Sequence, residues 1–313
     1  MKNKILVFSG DPNSINSEII FKSWKKISPK IKKKIYLISN YRLLKKQFSK
    51  LNYKIRLQKV NNLEAKSNYN DIKILDIKLK FKQPFKVSKE YASNYVKNAL
   101  NVAHYLSLSD KVMGLINCPI NKNLLGKNKI GVTEYLAKKC KVKNNSEVMF
   151  LRNKKISVSP ITTHLDLKDV SRKLNTKTIV NKVKTIDLWF KKKFKKKPKI
   201  GIMGLNPHNA EMRKNSEEKR IIIPAITKLK KLKLRVFGPL VADTLFIQDY
   251  QKFDVLVGMY HDQVLTPFKT IFKFDAINIT LGLKYLRLSP DHGVARDIVK
   301  RKIADHSSLT KCI

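Results

Sequence analysis

The chain has 313 residues and a mass of 36.2 kDa, enough for one large α/β unit or two lobes, and its 42% hydrophobic content is ordinary for a globular protein. No apolar run reaches the roughly 18 residues that a membrane helix needs, and the run at residues 5–8 is too short for a secretory signal. Cys118, Cys140 and Cys312 form no CxxC pair, which indicates a reducing compartment. We therefore expect a cytoplasmic protein without a membrane partner.

The formal net charge of +44 invites a nucleic-acid interpretation. Lysine outnumbers arginine by 57 to 10, however, whereas base and phosphate recognition favours the arginine fork. The densest basic run, residues 191–199, follows a helical pattern and precedes a predicted strand, where lysines complement a helix C-terminus. We therefore expect no dedicated nucleic-acid role, and a positive field that attracts small anionic substrates.

Short apolar runs alternate with stretches of helical spacing along the chain. The predicted strands are residues 5–8, 35–38, 72–79, 112–116, 148–151, 156–158, 200–203, 235–237, 255–257 and 276–279, with a hairpin between 148–151 and 156–158. The predicted helices are residues 15–27, 42–51, 88–106, 179–190 and 294–299, the last of which we expect to be the final helix. Strands alternating with helices predict an α/β fold with a mostly parallel sheet. No linker is visible, so any two lobes must be packed together.

Half of the six histidines lie in polar segments directly after strand-like runs. They are His164 in Thr-Thr-His-Leu-Asp-Leu, His208 in Gly-Leu-Asn-Pro-His and His261 in Met-Tyr-His-Asp-Gln. Three imidazoles with an open fourth position are typical of a catalytic metal site, and the spacings of 44 and 53 residues exclude a local metal loop. A lone histidine is more often structural, and we interpret His104 and His306 in that way. The shared position after strands favours a metal site, because ligands of open α/β sheets gather at the carboxyl ends of strands.

The chain contains no GxGxxG, Walker A or GxSxG sequence, so a dinucleotide would need a site of another type. Further polar segments follow or lie between the predicted strands: Gly10-Asp-Pro-Asn-Ser-Ile-Asn-Ser-Glu18, Asn117-Cys-Pro-Ile-Asn-Lys122, Gly238-Pro-Leu-Val-Ala-Asp243 and Ser289-Pro-Asp-His-Gly293. We expect the last of these to open the final helix. Each segment alone is typical of a turn.

Together these segments resemble one family. The order Gly-Asp-Pro, Thr-Thr-His-Leu-x-Leu-Lys-Asp-Val, Gly-Leu-Asn-Pro-His, Gly-Pro-Leu-x-Ala-Asp-Thr-Leu-Phe, Met-Tyr-His-Asp-Gln, Asn-Ile-Thr-Leu-Gly-Leu and Asp-His-Gly-x-Ala is similar to that of 4-hydroxythreonine-4-phosphate dehydrogenase, the NAD-dependent enzyme of pyridoxal 5′-phosphate biosynthesis. The resemblance spans residues 10–298. It implies a two-lobed α/β fold like that of isocitrate and isopropylmalate dehydrogenases, with a cleft between the lobes. It also implies a homodimer that shares its active site across the interface.

The resemblance also implies roles for particular residues. The metal ligands are His164, His208 and His261, which hold one zinc, cobalt or magnesium ion; the substrate-binding residues are Thr133, Lys269, Asn278 and Arg287; the catalytic positions are Asp243, Asp262 and Lys269; and the residues that approach NAD or NADP are Leu286, Asp291, His292 and Gly293. The proton acceptor stays open between a lysine, Asp243 and a metal-bound water, and so does the choice between NAD and NADP.

The sequence departs from the family pattern at four places. Val132 stands where the family has a histidine that contacts the substrate phosphate. Asn13, Ser14, Asn16 and Ser17 occupy a loop that usually contains two glycines. Residues 209–214 lack the glycines that usually follow Asn-Pro-His, and Val264 replaces the glycine after Tyr-His-Asp-Gln. The altered phosphate contact puts the identity of the substrate in doubt more than the type of reaction.

Three functions are therefore compatible with the sequence. The first is oxidation of 4-phosphohydroxy-L-threonine to 2-amino-3-oxo-4-phosphooxybutanoate, which decarboxylates to 3-amino-2-oxopropyl phosphate. The second, favoured by Val132, is oxidation of another phosphorylated hydroxy acid, such as a four-carbon sugar-acid 4-phosphate. The third is nucleic-acid binding by a basic protein built on a degenerate enzyme scaffold, and the intact histidine triad counts against it.

Overall fold

The computed structural model describes residues 3–65, 68–126, 131–273 and 275–313, with the side chain of Gln248 left out of the description. The strands in these ranges are β1 (Lys4–Phe8), β2 (Ile35–Ser39), β3 (Leu57–Val60), β4 (Ile72–Asp76), β5 (Val112–Asn117), β6 (Val148–Arg152), β7 (Ser157–Pro160), β8 (Ile200–Met203), β9 (Val236–Leu240), β10 (Val255–Gly258), β11 (Ile277–Leu281) and β12 (Arg287–Pro290). All ten predicted strands are present, with ends that shift by up to three residues.

Helices separate most of these strands. They are α1 (Asn16–Lys26), α2 (Pro29–Lys32), α3 (Tyr41–Lys50), α4 (Lys89–Ser107), α5 (Val132–Lys139), α6 (Leu167–Lys173), α7 (Thr176–Phe194), α8 (Ile223–Lys231), α9 (Ala242–Thr244), α10 (His261–Phe272) and α11 (Ser307–Cys312). Short 3-10 segments lie at Lys122–Leu124, Pro207–Met212, Tyr250–Lys252 and Arg296–Ile298, and π-helical turns at Glu218–Ile222 and Leu245–Asp249. None of the helices in the described ranges is long and apolar enough to span a membrane.

The chain divides into two compact units. The first unit comprises Met1–Lys139 and Lys284–Ile313, and the second comprises Cys140–Leu283. These are the boundaries that the sequence left open, and the expectation that both units build one catalytic centre stays a prediction.

The first unit is built on strands in the order β3-β4-β2-β1-β5-β12, which all pair in parallel. The central strand β1 places Leu6, Val7 and Phe8 in the core, and β2 is buried along its whole length. Strands of a parallel sheet are covered on both faces, which explains why they are uninterrupted apolar runs in the sequence. The first unit therefore confirms the parallel part of the predicted fold.

The second unit has the strand order β11-β6-β7-β10-β8-β9. Strand β10 pairs in parallel with β7 and β8, and β8 pairs in parallel with β9. Strand β6 runs antiparallel to both β7 and β11, which confirms the predicted hairpin and gives a mixed edge. The predicted α/β class with mostly parallel strands is thus confirmed.

The predicted final helix at residues 294–299 is wrong. Only a 3-10 turn forms there, at Arg296–Ile298, because Ala295 takes a left-handed conformation with φ of 43° and interrupts the helical hydrogen-bond ladder. The final helix is α11. The segment that begins at Ser289 does not open a helix either, since Ser289 and Pro290 end strand β12.

Candidate functional site

The three histidines and one aspartate of the second unit lie on loops at one edge of its sheet. His164 follows β7, His208 follows β8, Asp243 follows β9 and His261 follows β10, each within five residues of the end of its strand. Because these four strands are parallel neighbours, their carboxyl ends lie at the same edge. The sheet therefore gathers residues that are 18 to 97 positions apart in the sequence into one row of loops.

Hydrogen bonds join these loops to one another. The Gln263 amide accepts a bond from the backbone N–H of Met259 (2.6 Å) and donates one to the carbonyl of Gly204 (2.7 Å), so it ties the β10 loop to the β8 loop. The hydroxyl of Thr162 donates to the carbonyl of Met259 (2.7 Å) and ties the β7 loop to the same point. The loops that carry the histidines are therefore held as one assembly.

The loop that carries His208 is anchored from two further sides. The carboxylate of Glu218, which has no exposed surface, accepts from the backbone N–H groups of Leu205 and Asn206, each at 2.8 Å. These bonds lower the pKa of Glu218 although burial opposes that shift. The amide of Asn209 donates to the carbonyl of Pro239 (3.1 Å), which links the β8 loop to the segment that leads to Asp243.

His164 and His261 lie side by side, with ring centroids 6.1 Å apart. His261 Nδ1 is 2.7 Å from Asp262 Oδ1, so the carboxylate fixes the ring and leaves Nε2 as the nitrogen that faces away. Within the described ranges, no three histidine, cysteine, aspartate or glutamate side chains are grouped closely enough to hold an ion. The structure thus brings two of the three predicted ligands together and places His208 on an adjoining loop.

The other predicted site residues of the second unit lie on neighbouring elements. Asp243 is exposed in α9, and its Oδ1 accepts from the backbone N–H of Thr244 (2.9 Å). Lys269 is half-buried in α10, two turns beyond His261. Asn278 lies in β11, and its buried side-chain oxygen has no hydrogen-bond partner among the described residues. A buried amide oxygen in that state favours a ligand that donates to it.

A second group of predicted substrate residues lies in the first unit. Arg287 begins β12 and is only 3% exposed; its Nε donates to Asn117 Oδ1 (2.6 Å) and its Nη1 to Thr133 Oγ1 (3.4 Å). Burial lowers the pKa of Arg287 to about 10, so the guanidinium is still charged at neutral pH. Both of these hydrogen-bond partners are neutral, and the nearby carboxyl group of Glu134 also interacts electrostatically with the guanidinium. Val132, beside Thr133, adds no donor there.

The residues predicted to approach the dinucleotide follow Arg287 in the chain. Leu286 is 39% exposed, and Asp291 is buried with its backbone N–H donating to Ser308 Oγ (2.9 Å). His292 Nδ1 is 3.0 Å from the carbonyl of Gly293, and Gly293 is exposed with open space where a Cβ would project. The predicted site residues are thus divided between the two units, and nothing in this division tests their roles.

The first loop lacks the two glycines of the family pattern, and polar side chains form hydrogen bonds there. Asn16 Nδ2 donates to the carbonyls of Ser9 and Pro119, each at 2.8 Å, and fills the space beside Gly10. Gly10 itself has φ of +74°, and a Cβ there would meet Asn16 and the carbonyls of Cys118 and Pro119. These contacts hold the turn in this chain, whose sequence departs here from the family pattern.

Sequence reasoning did not select Gln263, Glu218 or Asn117 as site residues. Gln263 and Asn117 were visible only as polar members of strand-end segments, and their bonds to Gly204 and Arg287 join residues far apart in the chain. Glu218 had no signal beyond an acidic residue in a basic region. His104 and His306, interpreted as structural, contact Tyr285 Oη (3.0 Å) and Thr310 Oγ1 (2.9 Å) respectively.

In the second unit, loops at the carboxyl ends of parallel strands carry imidazoles, carboxylates and amides, and α/β enzymes bind their ligands at this edge of the sheet. The chain belongs to the family described as pyridoxal phosphate biosynthetic protein PdxA, whose family model matches residues 30–313. This confirms the family resemblance seen in the sequence.

Individual relatives agree with the family assignment. The chain is 36% identical over 321 residues to 4-hydroxythreonine-4-phosphate dehydrogenase from Sulfurihydrogenibium sp. (strain YO3AOP1), covering 99% of this chain and 96% of that protein. It is 30% identical over 317 residues to D-threonate 4-phosphate dehydrogenase from Salmonella typhimurium, with coverage of 99% and 96%. The crystal structure of 4-hydroxythreonine-4-phosphate dehydrogenase from Klebsiella pneumoniae matches with a TM-score of 0.85 at 28% identity, covering 99% and 97%. The chain is therefore an oxidoreductase of the dehydrogenase type, a class that implies a nicotinamide cofactor.

Proposed function

We propose that the protein oxidises 4-phosphohydroxy-L-threonine with NAD or NADP and a divalent metal ion. The product, 2-amino-3-oxo-4-phosphooxybutanoate, loses carbon dioxide to give 3-amino-2-oxopropyl phosphate for pyridoxal 5′-phosphate biosynthesis. The observation that carries this proposal is the hydrogen-bonded row of loops bearing His164, His208 and His261, in a chain whose relatives are named for this reaction. We also propose a homodimer with a shared active site, which light scattering tests.

The substrate is a dianionic phosphate ester with a carboxylate and an amino group, and the chain offers matching groups. Arg287 and Thr133 supply a buried cation and a hydroxyl, and Lys269 supplies an amine. Asn278 supplies an amide oxygen that accepts a hydrogen bond. Charge-assisted bonds from a buried guanidinium to phosphate or carboxylate are among the strongest available to a protein.

The donor chemistry of the second unit fits a divalent metal ion. An imidazole nitrogen binds zinc at about 2 Å, so two rings with centroids 6.1 Å apart both reach an ion placed between them. His164 and His261 would hold the ion, and His208 would complete the set from the loop that Gln263 ties to them. A metal ion in such a site lowers the pKa of a bound hydroxyl group and stabilises negative charge next to it.

The residues of the chain then have distinct tasks. Asp262 orients the His261 ring, as carboxylates commonly do beside metal-bound histidines. Asp243 or Lys269 accepts the proton of the substrate 3-hydroxyl, since both lie on elements that follow or flank the histidine loops. A nicotinamide cofactor, when bound, would supply the acceptor for the hydride from the carbon that bears this hydroxyl. Leu286, Asp291, His292 and Gly293 are proposed to lie near the dinucleotide.

The test is NADH formation from 4-phosphohydroxy-L-threonine and NAD with zinc, cobalt or magnesium. Three proteins are compared: the unchanged chain, His208→Ala, and the control His306→Ala, which changes the histidine at the N-cap of α11. We expect turnover in the unchanged chain and in the control, and a loss of about a hundredfold or more in His208→Ala. No turnover by a folded, metal-loaded protein would overturn the proposal.

A second candidate substrate is D-threonate 4-phosphate, the substrate named for the Salmonella typhimurium relative. Val132 favours it, because the histidine donor of the 4-hydroxythreonine-4-phosphate enzymes is absent next to Thr133. The two substrates are compared on the unchanged chain and on Val132→His. Preference for 4-phosphohydroxy-L-threonine in the unchanged chain excludes this second candidate.

A further inference from the structure

A basic cavity of about 300 Å³ lies in the first unit, apart from the Arg287 group. It is lined by Asn13, Phe85, Lys86, Arg296, Val299 and Lys300. Water occupies about 30 Å³ per molecule, so the cavity holds a ligand fragment much larger than a single phosphate oxygen. Three of its six lining residues are cationic, and none is acidic.

Hydrogen bonds and an ion pair hold the residues that line this cavity in place. The side chain of Asn13 bonds to the backbone of Val87 in both directions, each at 2.8 Å, and so fixes the loop that carries Phe85 and Lys86. Arg296 Nη2 is 3.2 Å from Oδ2 of Asp11, whose side chain has no exposed surface. Arg296 is therefore held at the cavity by a buried carboxylate.

The cations of the cavity differ in how far a neighbouring carboxylate offsets their charge. Asp11 offsets much of the charge of Arg296, whose side chain is still 50% exposed. The Lys300 amine lies 5.7 Å from the centre of the Phe85 ring, and the side chains of Lys86 and Lys300 are exposed. Among the described residues, neither lysine forms an ion pair with a carboxylate. The cavity therefore keeps a net positive charge of about two, which suits a diphosphate better than a neutral ligand.

The position of the cavity connects it to the segment proposed to lie near the dinucleotide. Arg296 follows Gly293 by three residues, and the backbone N–H of Ile15 donates to the carbonyl of Val294 (3.3 Å). The loop that supplies Asn13 thus also contacts the chain just after His292 and Gly293. The donors proposed for the substrate phosphate are different residues: Arg287 at the start of β12 and Thr133 in α5.

We propose that this cavity binds the diphosphate of the nicotinamide dinucleotide. Lys86 and Lys300 contact the phosphate oxygens, Arg296 supports them from its bond to Asp11, and Phe85 with Val299 forms an apolar floor beneath the adjoining ribose. This assignment rests on the proposed dehydrogenase function. It goes beyond that function by naming the cations that hold the part of the cofactor common to NAD and NADP.

The test compares a double variant, Lys86→Gln with Lys300→Gln, against a control with the same loss of charge, Lys30→Gln with Lys50→Gln, which changes exposed lysines outside the cavity. Calorimetric titration measures the binding of NAD, NADP, 5′-ADP, inorganic pyrophosphate and 4-phosphohydroxy-L-threonine. We expect the cavity variant to bind NAD, NADP, 5′-ADP and pyrophosphate about tenfold more weakly than the control, with unchanged binding of the substrate. Circular dichroism confirms that both variants stay folded.

Other outcomes overturn the assignment in distinguishable ways. Equal dinucleotide binding by both variants overturns it and leaves the dehydrogenase function intact. A loss confined to NADP places the cations at the ribose 2′-phosphate instead of the diphosphate, and a loss confined to the substrate or to free pyrophosphate assigns the cavity to another phosphorylated molecule. If the unchanged chain binds no dinucleotide at all, the proposed function fails together with the inference.

Discussion

At the scale of single residues, Gln263 has the largest structural role that the sequence did not reveal. Its amide accepts from the Met259 N–H and donates to the Gly204 carbonyl, so one side chain sets the distance between two histidine loops. Both bonds are partly buried, where losing one partner leaves the other unsatisfied. We infer that Gln263 acts through the loops as a positioning residue.

Gln263→Glu changes only one of these bonds. The carboxylate still accepts from Met259, but it faces the Gly204 carbonyl without a proton to donate, and the two oxygens repel each other. We expect the free energy of unfolding to fall by about 1–3 kcal/mol in urea titrations. Gln251→Glu is the matched control, because the Gln251 amide makes an exposed bond to Tyr250 Oη (3.3 Å). An equal loss in both variants would contradict a positioning role.

Lys73 shows a different residue-scale effect, the burial of a charge. Its side chain lies in β4, 3% exposed, with Nζ donating to the Lys33 carbonyl (2.6 Å) and lying 3.8 Å from the centre of the Tyr36 ring. Burial, helped by the nearby charge of Lys4, lowers the pKa of Lys73 to about 8. An unfolded chain would keep the ordinary pKa of about 10.4.

The lowered pKa of Lys73 predicts a pH dependence of stability. Between about pH 8 and pH 10.4 the unfolded chain binds more protons at this site than the folded chain, so stability gains from rising pH in that window. Below pH 8 the full penalty of burying the charge is present. Relative to Lys73→Met, the unchanged protein should gain on the order of 3 kcal/mol in its free energy of unfolding across the window. Urea unfolding at several pH values measures this, and Lys45→Met, an exposed lysine of α3, should show no such gain.

At the scale of elements, the turn that carries His208 has a strained backbone. His208, Asn209, Ala210, Glu211 and Met212 all have φ between 44° and 57°, the left-handed region that favours glycine. The family usually places glycines just after this histidine, but this chain has none from 205 to 237. The bonds from Glu218 and Asn209 to neighbouring segments hold the turn in this conformation.

Glu211→Gly should relieve part of that strain. Glu211 is exposed and has φ of 44°, so a glycine there removes the steric cost of the left-handed conformation without losing a buried contact. We expect the free energy of unfolding to rise by about 1 kcal/mol. The control is Lys214→Gly, an exposed position of the same loop that lacks a positive φ. Stabilisation by both glycines would show that the effect comes from the loop sequence and not from the backbone conformation.

The helices and strands that were predicted from the sequence have a strong apolar pattern. The strands that were not predicted lack such a pattern for physical reasons. Strand β3 is partly exposed along most of its length, so its apolar pattern is weak. Strand β12 is mostly buried but contains Arg287 and Ser289, whose polar side chains interrupt the apolar pattern. The final helix was placed too early because residues 294–299 have helical spacing, whereas the left-handed Ala295 depends on tertiary contacts.

At the scale of the whole molecule, the sequence located the loops that carry the candidate site residues but not the arrangement of these loops. The position of each histidine after a strand was readable, because apolar runs and polar turns are local signals. The sharing of one sheet edge by β7, β8, β9 and β10 depends on strand order, which no local pattern encodes. For the same reason, the bond between Arg287 and Asn117, 170 residues apart, was beyond sequence reasoning.

The net charge of +44 acts on the whole molecule as well. Like charges repel one another in the compact state more than in the unfolded chain, and this repulsion destabilises the fold. The ion pairs that oppose it are mostly exposed, for example Lys111 with Glu64 at 2.8 Å, and each contributes little. Since salt shortens the Debye length from about 30 Å at 0.01 M to about 10 Å at 0.1 M, it weakens the long-range repulsion most.

We therefore expect the melting temperature to rise with sodium chloride, by on the order of a few degrees between 0.01 M and 0.5 M. Sodium sulfate at equal ionic strength separates two causes: an equal rise indicates screening of the lysines, and a larger rise indicates binding or exclusion of the sulfate ion. A melting temperature that falls with salt would mean that ion pairs such as Lys22 with Glu18 outweigh the repulsion. The repulsion among the excess lysines would then contribute less to stability than the ion pairs that salt also screens.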